Sequence, residues 1–123
     1  MERKGRVVPY AGSLVNISSE DAFRIISHFL ARELYNYYMY NGHGKKEVIY
    51  RLNLREVQRR VAKEERVYLT VQKIGRMVKK FLHMNGFKDG VDYFKSSPGR
   101  TSTRYHIILR EQNLEILRRR FIM

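Results

Sequence analysis

The side chains of this chain that can do chemistry are mostly cations, and their spacing suits the holding of an anion better than the breaking of a bond. Between Val71 and Asn85, Lys73, Arg76, Lys79, Lys80 and His83 recur with Gln72 among them, and no Asp or Glu occurs in the stretch. Laid on a helix at about 100° per residue, they fill one half of the circumference, while Val71, Ile74, Met77, Val78, Phe81 and Leu82 fill the other. Like charges three or four residues apart cost an isolated helix about 0.2–0.5 kcal/mol per pair, and an ordinary solvated helix mixes signs. A sequence that accepts this repulsion suits an anionic partner. The plain alternative is a solvated basic face.

Bond-making chemistry has little to work with. The four His, at 28, 43, 83 and 106, stand in no metal-ligand spacing with carboxylates. There is no phosphate-cradling glycine loop, and no nucleophile motif organises the Ser and Thr residues. Asp89 and Asp92 flank Gly90 as turn residues do, and His43 lies between two glycines as a loop residue does. The expectation is a protein that is not an enzyme, with no catalytic residue, metal or cofactor. The absence of Cys fits a reducing compartment. No run reaches the ~18 apolar residues of a membrane span. Pro9, Gly12 and Asn16 occupy the place of a signal peptide's apolar centre. Together these features predict a soluble, cytoplasmic domain without membrane contact, nucleoid-associated in a prokaryote.

The charge has an address. Twenty-five Lys and Arg against twelve Asp and Glu leave +13 over 123 residues. Residues 51–106 carry +9 of this, whereas residues 18–50 balance four bases against four acids. With 43% hydrophobic residues, including nine Tyr and six Phe, the chain can bury a core despite its charge. The length suits one domain. The mix of Arg, Lys, Tyr and Ile without Cys is thermophile-like.

The elements that must position these cations follow from periodicity and caps. Residues 1–17 read as a basic arm, carrying Arg3, Lys4 and Arg6 and interrupted by Gly5, Pro9 and Gly12. A first helix starts at Ser18 or Ser19 and stops at Asn41-Gly42, burying Ala22, Phe23, Ile26, Phe29, Leu30, Leu34 and Tyr37. Tyr35 and Met39 leave that stripe. Val48 to Leu52 read as a short strand or a helix approach. Asn53 with Glu56 has capping-box spacing for a helix from Leu54 to about Arg66. Thr70 caps the acid-free helix, and Gly86 ends it. Beyond it, Val91, Tyr93, Thr103, Tyr105, Ile107 and Leu109 alternate as a hairpin does, with Pro98-Gly99 at its turn. Residues 112–123 read as a short helix presenting Leu114, Leu117 and Phe121, too short to stand undocked.

This order resembles a winged helix-turn-helix domain over residues 18–109: an α+β fold with a three-helix core, a β-hairpin wing at 91–109, and a C-terminal helix at 110–123. The Val67-Tyr68-Leu69 turn lacks the Gly often found there. The resemblance implies binding of double-stranded DNA, with helix 70–85 in the major groove. Gln72 and Arg76 would read bases, since both side chains can bond bidentately to base edges. Lys73, Lys79 and Lys80, with backbone N–H groups at Thr70, would hold phosphates. Arg55 and Arg59 would brace the backbone, intrahelical pairing with Glu56, Glu64 and Glu65 being the competing use. Lys95, Arg100 and Arg104 of the wing would reach flanking phosphates or a minor groove.

The resemblance fits a sequence-selective transcriptional regulator that acts as a homodimer, placing two helices roughly 34 Å apart on a pseudo-palindrome. Tyr35, Tyr38, Met39, Leu114, Leu117 and Phe121 are the candidate dimer residues. Packing of these tyrosines within the chain and their stacking on unpaired bases are the other uses. Two further readings stay open: a non-specific architectural or replication-associated DNA binder, and a ribosome- or RNA-associated module.

Overall fold

The computed structural model describes residues 17–95 and 104–122, so all of the N-terminal arm except Ile17, and the hairpin tip with Arg100, lie outside the described residues. The chain runs through helix α1 (Ser19–Asn41), strand β1 (Glu47–Asn53), helix α2 (Leu54–Glu65), helix α3 (Val71–Met84), strands β2 (Tyr93–Lys95) and β3 (Arg104–Arg110), helix α4 (Glu111–Leu117) and a π-helical turn over Arg118–Ile122. It is an α+β architecture with four α-helices and a small antiparallel sheet of three strands in the order β1-β3-β2.

Side-chain caps set the helix starts. The Ser18 hydroxyl accepts the Asp21 N–H at 3.1 Å, and Thr70 accepts that of Lys73 at 3.1 Å. Asn53 Oδ1 accepts from Arg55 and Glu56 at 2.9 and 3.3 Å. Each satisfies a donor that a helix start would otherwise leave open. The carboxylate of Glu56 turns to Arg59 instead of back to the cap. At its far end α2 closes on Arg66 with a φ of 60°, so an arginine takes the left-handed position in a turn that lacks glycine. Helix α3 ends more conventionally. Gly86, with a φ of 87°, donates to His83 O, and Phe87 donates to Leu82 O at 2.9 Å, with the Phe87 ring buried alongside. This is the paired-bond termination that favours glycine.

In the sheet, Val48, Tyr50 and Leu52 of β1 oppose Leu109, Ile107 and Tyr105 of β3, and Tyr93 of β2 opposes Ile107 from the other side. These residues turn toward the helices, and all but the half-buried Tyr50 are buried. The hairpin differs from the alternation expected of it at one end. Val91 is 56% exposed because the chain is still turning there: β2 begins only at Tyr93. The buried carboxylate of Asp92 accepts the Lys88 N–H at 2.8 Å and pairs with Arg110, while Gly90 takes a φ of 78°. Residues 88–92 are thus a stapled turn. Arg110 also reaches Glu47 at 3.1 Å, linking β1 to the turn before β2 through the central strand.

The core joins Ile26, Leu30 and Leu34 of α1, Val57 and Val61 of α2, and Ile74, Val78, Phe81 and Leu82 of α3 to the inner sheet face. A second outcome concerns the C-terminal segment, whose apolar residues are candidates for a dimer interface on the sequence. Leu114 and Leu117 are buried in this core, and Phe121 packs edge-on to His28 at 5.2 Å and against Phe81 at 5.8 Å. The helix does not continue regularly to the end: it widens into the π-helical turn after Leu117. From that turn Arg120 donates to Met84 O at 2.7 Å and to the side-chain oxygen of the buried Asn85 at 3.0 Å. A cation thereby meets the negative end of α3, where the last carbonyls of a helix lack partners.

Candidate nucleic-acid interface

Helix α3 is fixed on every side except its basic one. From α2, Gln58 Nε2 donates to Leu69 O at 2.9 Å and holds the connection into α3. From β2, the Tyr93 hydroxyl is 2.6 Å from His83 Nε2, tying the end of the helix to the hairpin. Arg120 and Phe121 close the C-terminal end. What remains outward is Gln72, Arg76, Lys79 and Lys80, all exposed, with Lys73 half-buried at the margin.

These cations divide around the helix. Lys73, Arg76 and Lys80 line a groove of about 230 Å³ between α3 and the start of α1, with Ser19, Phe23 and Met77 as its other walls. Lys80 lies 4.6 Å over the Phe23 ring, so its charge is drawn toward α1 by a cation–π contact. On the helical wheel Gln72 and Lys79 sit on the other flank of Arg76. Arg76 is central, with Lys79 to one side and Lys80 to the other. No carboxylate among the described residues pairs with Lys73, Arg76 or Lys79.

The remaining expected contacts are placed unequally. Thr70 spends its oxygen on the cap, but the first turn of α3 still points backbone N–H groups outward from a helix start. Lys95 ends β2 and Arg104 begins β3, both exposed, and Arg104 opposes Asn53, the cap of α2. Arg55 is exposed at the start of α2. Arg59 is engaged by Glu56. Its neighbour Arg60 is committed further: it meets Glu33 of α1 at 2.9 Å and Glu64 at 3.5 Å, and its guanidinium lies 4.8 Å over the Phe29 ring. The Glu33 hydrogen bond raises the Arg60 pKa above the ordinary guanidinium value.

The same carboxylate accepts from the Tyr50 hydroxyl at 3.4 Å, and burial together with the Glu33 charge pushes that phenol up to about 12. Burial, with the Asp89 charge adding to it, raises Tyr93 to about 12 as well. Both are structural phenols, protonated at any physiological pH. Among the described residues there is no grouping of three or more His, Cys, Asp or Glu that could hold a metal ion. Nor is any helix there long and apolar enough to cross a membrane.

Of the expected self-association residues, Leu114, Leu117 and Phe121 are spent inside the chain, and Tyr35 and Tyr38 are half-buried against its core. Met39 is 48% exposed, and the adjacent Tyr40 is 86% exposed. Outside the residues singled out from the sequence as contacts are Arg51, Phe94 and His106, which the strand register brings into one row on the outer face of the sheet. The signal for Phe94 was its place beside Tyr93 in an alternating run, where one aromatic must face out if the other faces in.

Comparison with protein-family models, with curated proteins and with solved structures finds no match to this chain.

Proposed function

We propose that this chain is a sequence-selective double-stranded DNA-binding protein, a winged helix-turn-helix regulator of transcription whose helix α3 enters the major groove. The observation that carries the reading is the outward face of α3. Lys73, Arg76 and Lys79 stand there without a carboxylate partner among the described residues, on a helix that contains no acid. A helix of about 10–12 Å diameter matches a major groove about 12 Å wide. Arg76, central on the face, pairs with guanine O6 and N7, and Gln72 with adenine N6 and N7. Lys73 and Lys79 neutralise phosphates on either side, and Lys80 reaches the backbone from its seat over Phe23.

The order of elements and the β1-β3-β2 sheet are compatible with a winged-helix layout and support this reading. Lys95 at the end of β2 and Arg104 at the start of β3 then meet flanking phosphates or a minor groove. Arg55 braces the backbone from α2. Pairing of two copies belongs to the same proposal; of the residues expected to mediate it, Met39 at the C-terminal end of α1 is exposed, beside the exposed Tyr40. Sedimentation showing a monomer at micromolar concentration, with and without DNA, removes that part.

The deciding experiment is selection from a pool of random duplexes with the purified protein, followed by sequencing. Enrichment of a defined site supports the proposal, and a flat distribution over bound sequences overturns its selectivity. Competition by structured RNA at matched salt tests the choice of duplex, because A-form RNA closes its major groove to a helix.

A further inference from the structure

The outer face of the sheet is a second surface with a chemistry of its own. Successive strand residues alternate faces, so the residues of β1, β2 and β3 that are not in the core project from the opposite side. The register places Arg51 of β1 opposite His106 of β3, and His106 opposite Phe94 of β2. A guanidinium, an imidazole and a phenyl ring thus form one row across all three strands. Phe94 is 40% exposed and Arg51 is also exposed, with His106 half-buried between them. One step along, Arg104 opposes Asn53; one step the other way, Ile49, 50% exposed, opposes Ile108. Neither Arg51 nor Arg104 pairs with a carboxylate among the described residues, and Glu47 and Asp92, at the far end of the sheet, are both engaged by Arg110.

We propose that this row is a stacking platform for unpaired nucleobases, making the sheet face a single-stranded nucleic-acid site separate from α3. All three side chains of the row offer a flat π surface, and every base has a π face, so such a platform is tolerant of sequence. The cations select the occupant. A second copy of this chain, or any other strongly basic protein, would bring more positive charge against Arg51 and Arg104. A strand of nucleic acid brings phosphates spaced along a line of bases. Its bases lie on Phe94 and His106, and its backbone follows Arg104 and Arg51. An exposed Phe at the edge of the sheet, with His106 opposite it and Arg104 and Ile108 on the two diagonals across to β3, suits a ligand that is apolar on its faces and anionic along its edge. Duplex DNA lacks that arrangement, because its base faces are already stacked.

The test uses the full chain and three probes at one salt concentration: an oligothymidylate of about ten nucleotides, within the range of site sizes known for stacking domains, an abasic strand of the same length, and the duplex site from the selection experiment or, failing one, a random duplex. The expected result is about tenfold tighter binding of the oligothymidylate than of the abasic strand, in line with one good stacking contact. Phe94→Leu, which keeps an apolar side chain and removes the ring, abolishes that preference and leaves duplex affinity unchanged. Arg76→Ala does the reverse. Equal affinity for thymidylate and abasic strands overturns the proposal, as does a Phe94→Leu variant that retains the preference. A Phe94→Leu variant that changes the sedimentation coefficient without changing strand preference assigns the face to self-association and also overturns it.

Discussion

Helices α2 and α3 are adjacent, similar in length and both basic, yet they use their charge in opposite ways. On α2, Arg59 pairs with Glu56, and Arg60 bridges Glu33 and Glu64 while covering Phe29. On α3 there is no acid, and Lys73, Arg76 and Lys79 face outward without a carboxylate partner among the described residues. Helix α2 commits Arg59 and Arg60 to carboxylates within the fold, whereas α3 has no such commitment for Lys73, Arg76 and Lys79 among the described residues. A count of charge along the chain does not separate these uses. The location of the carboxylates does.

The largest effect expected from this contrast is on stability, at Glu33. Glu33→Ala removes the acceptor of both Arg60 and Tyr50 and leaves a half-buried guanidinium and a phenol without it. Unfolding in urea should show a loss of about 2–3 kcal/mol, while affinity for random duplex DNA stays within twofold. A parallel loss of DNA binding at temperatures where the variant is folded would mean that the Glu33–Arg60 contact serves the interface and not the fold alone, and the contrast would fail.

Tyr50 gives the Glu33 contact a pH signature, and Tyr93 beneath the hairpin adds a second of the same sign. With Tyr50 and Tyr93 raised to about 12 in the folded state, against an unfolded value near 10, the folded protein binds more protons between those values. Their contribution to stability is complete below about pH 10 and is lost as pH rises toward 12. Tyr50→Phe combined with Tyr93→Phe should flatten that alkaline decline. An unaltered decline would place its origin elsewhere.

Next in size is Arg76→Ala, which should cost about 2 kcal/mol on the selected site and relax preference at one base pair. Stability should change little, since the side chain is exposed and has no intramolecular ion pair among the described residues. Equal loss on selected and random duplexes would deny Arg76 a base-reading role. Lys79→Ala is smaller and different in kind. It should weaken all sequences alike and lower the salt slope of log affinity by about one unit.

Why one half of this contrast was legible in the sequence and the other was not follows from the range of the interactions. The caps at Ser18, Asn53 and Thr70 and the stop at Gly86 are local: donor and acceptor lie within five residues, so spacing alone announces them. The amphipathic halves of α3 are likewise a property of one segment. Glu33 and Arg60 stand 27 residues apart, and Asp92 and Arg110 are 18 apart. Nothing near either member names its partner. The docking of Leu117 and Phe121, the register that puts Phe94 beside His106, and the addition of β1 to the hairpin depend on tertiary approach in the same way. Val91 was misplaced for the converse reason. Its hydropathy fitted the alternation, but Asp92 had already claimed the backbone for a turn.

The smallest predicted effect is the most direct test of the distinction between spent and unspent charge. Arg59 and Lys79 both carry one positive charge on an exposed helix surface, so a simple electrostatic count treats them alike. Arg59 has Glu56 as its partner on the same helix, and a side chain already paired releases less from a nucleic-acid counterion atmosphere when it turns to a phosphate. It must also break that pair first. Arg59→Ala should therefore lower the salt slope by clearly less than Lys79→Ala, and it should change stability by no more than about 0.5 kcal/mol, as surface pairs do. Glu56→Gln sharpens the comparison. It frees Arg59 at the same position, and the salt slope of that variant should rise toward one additional phosphate contact. If Arg59→Ala and Lys79→Ala lower the slope equally and Glu56→Gln leaves it unchanged, the pairing seen in α2 has no bearing on which cations reach the partner.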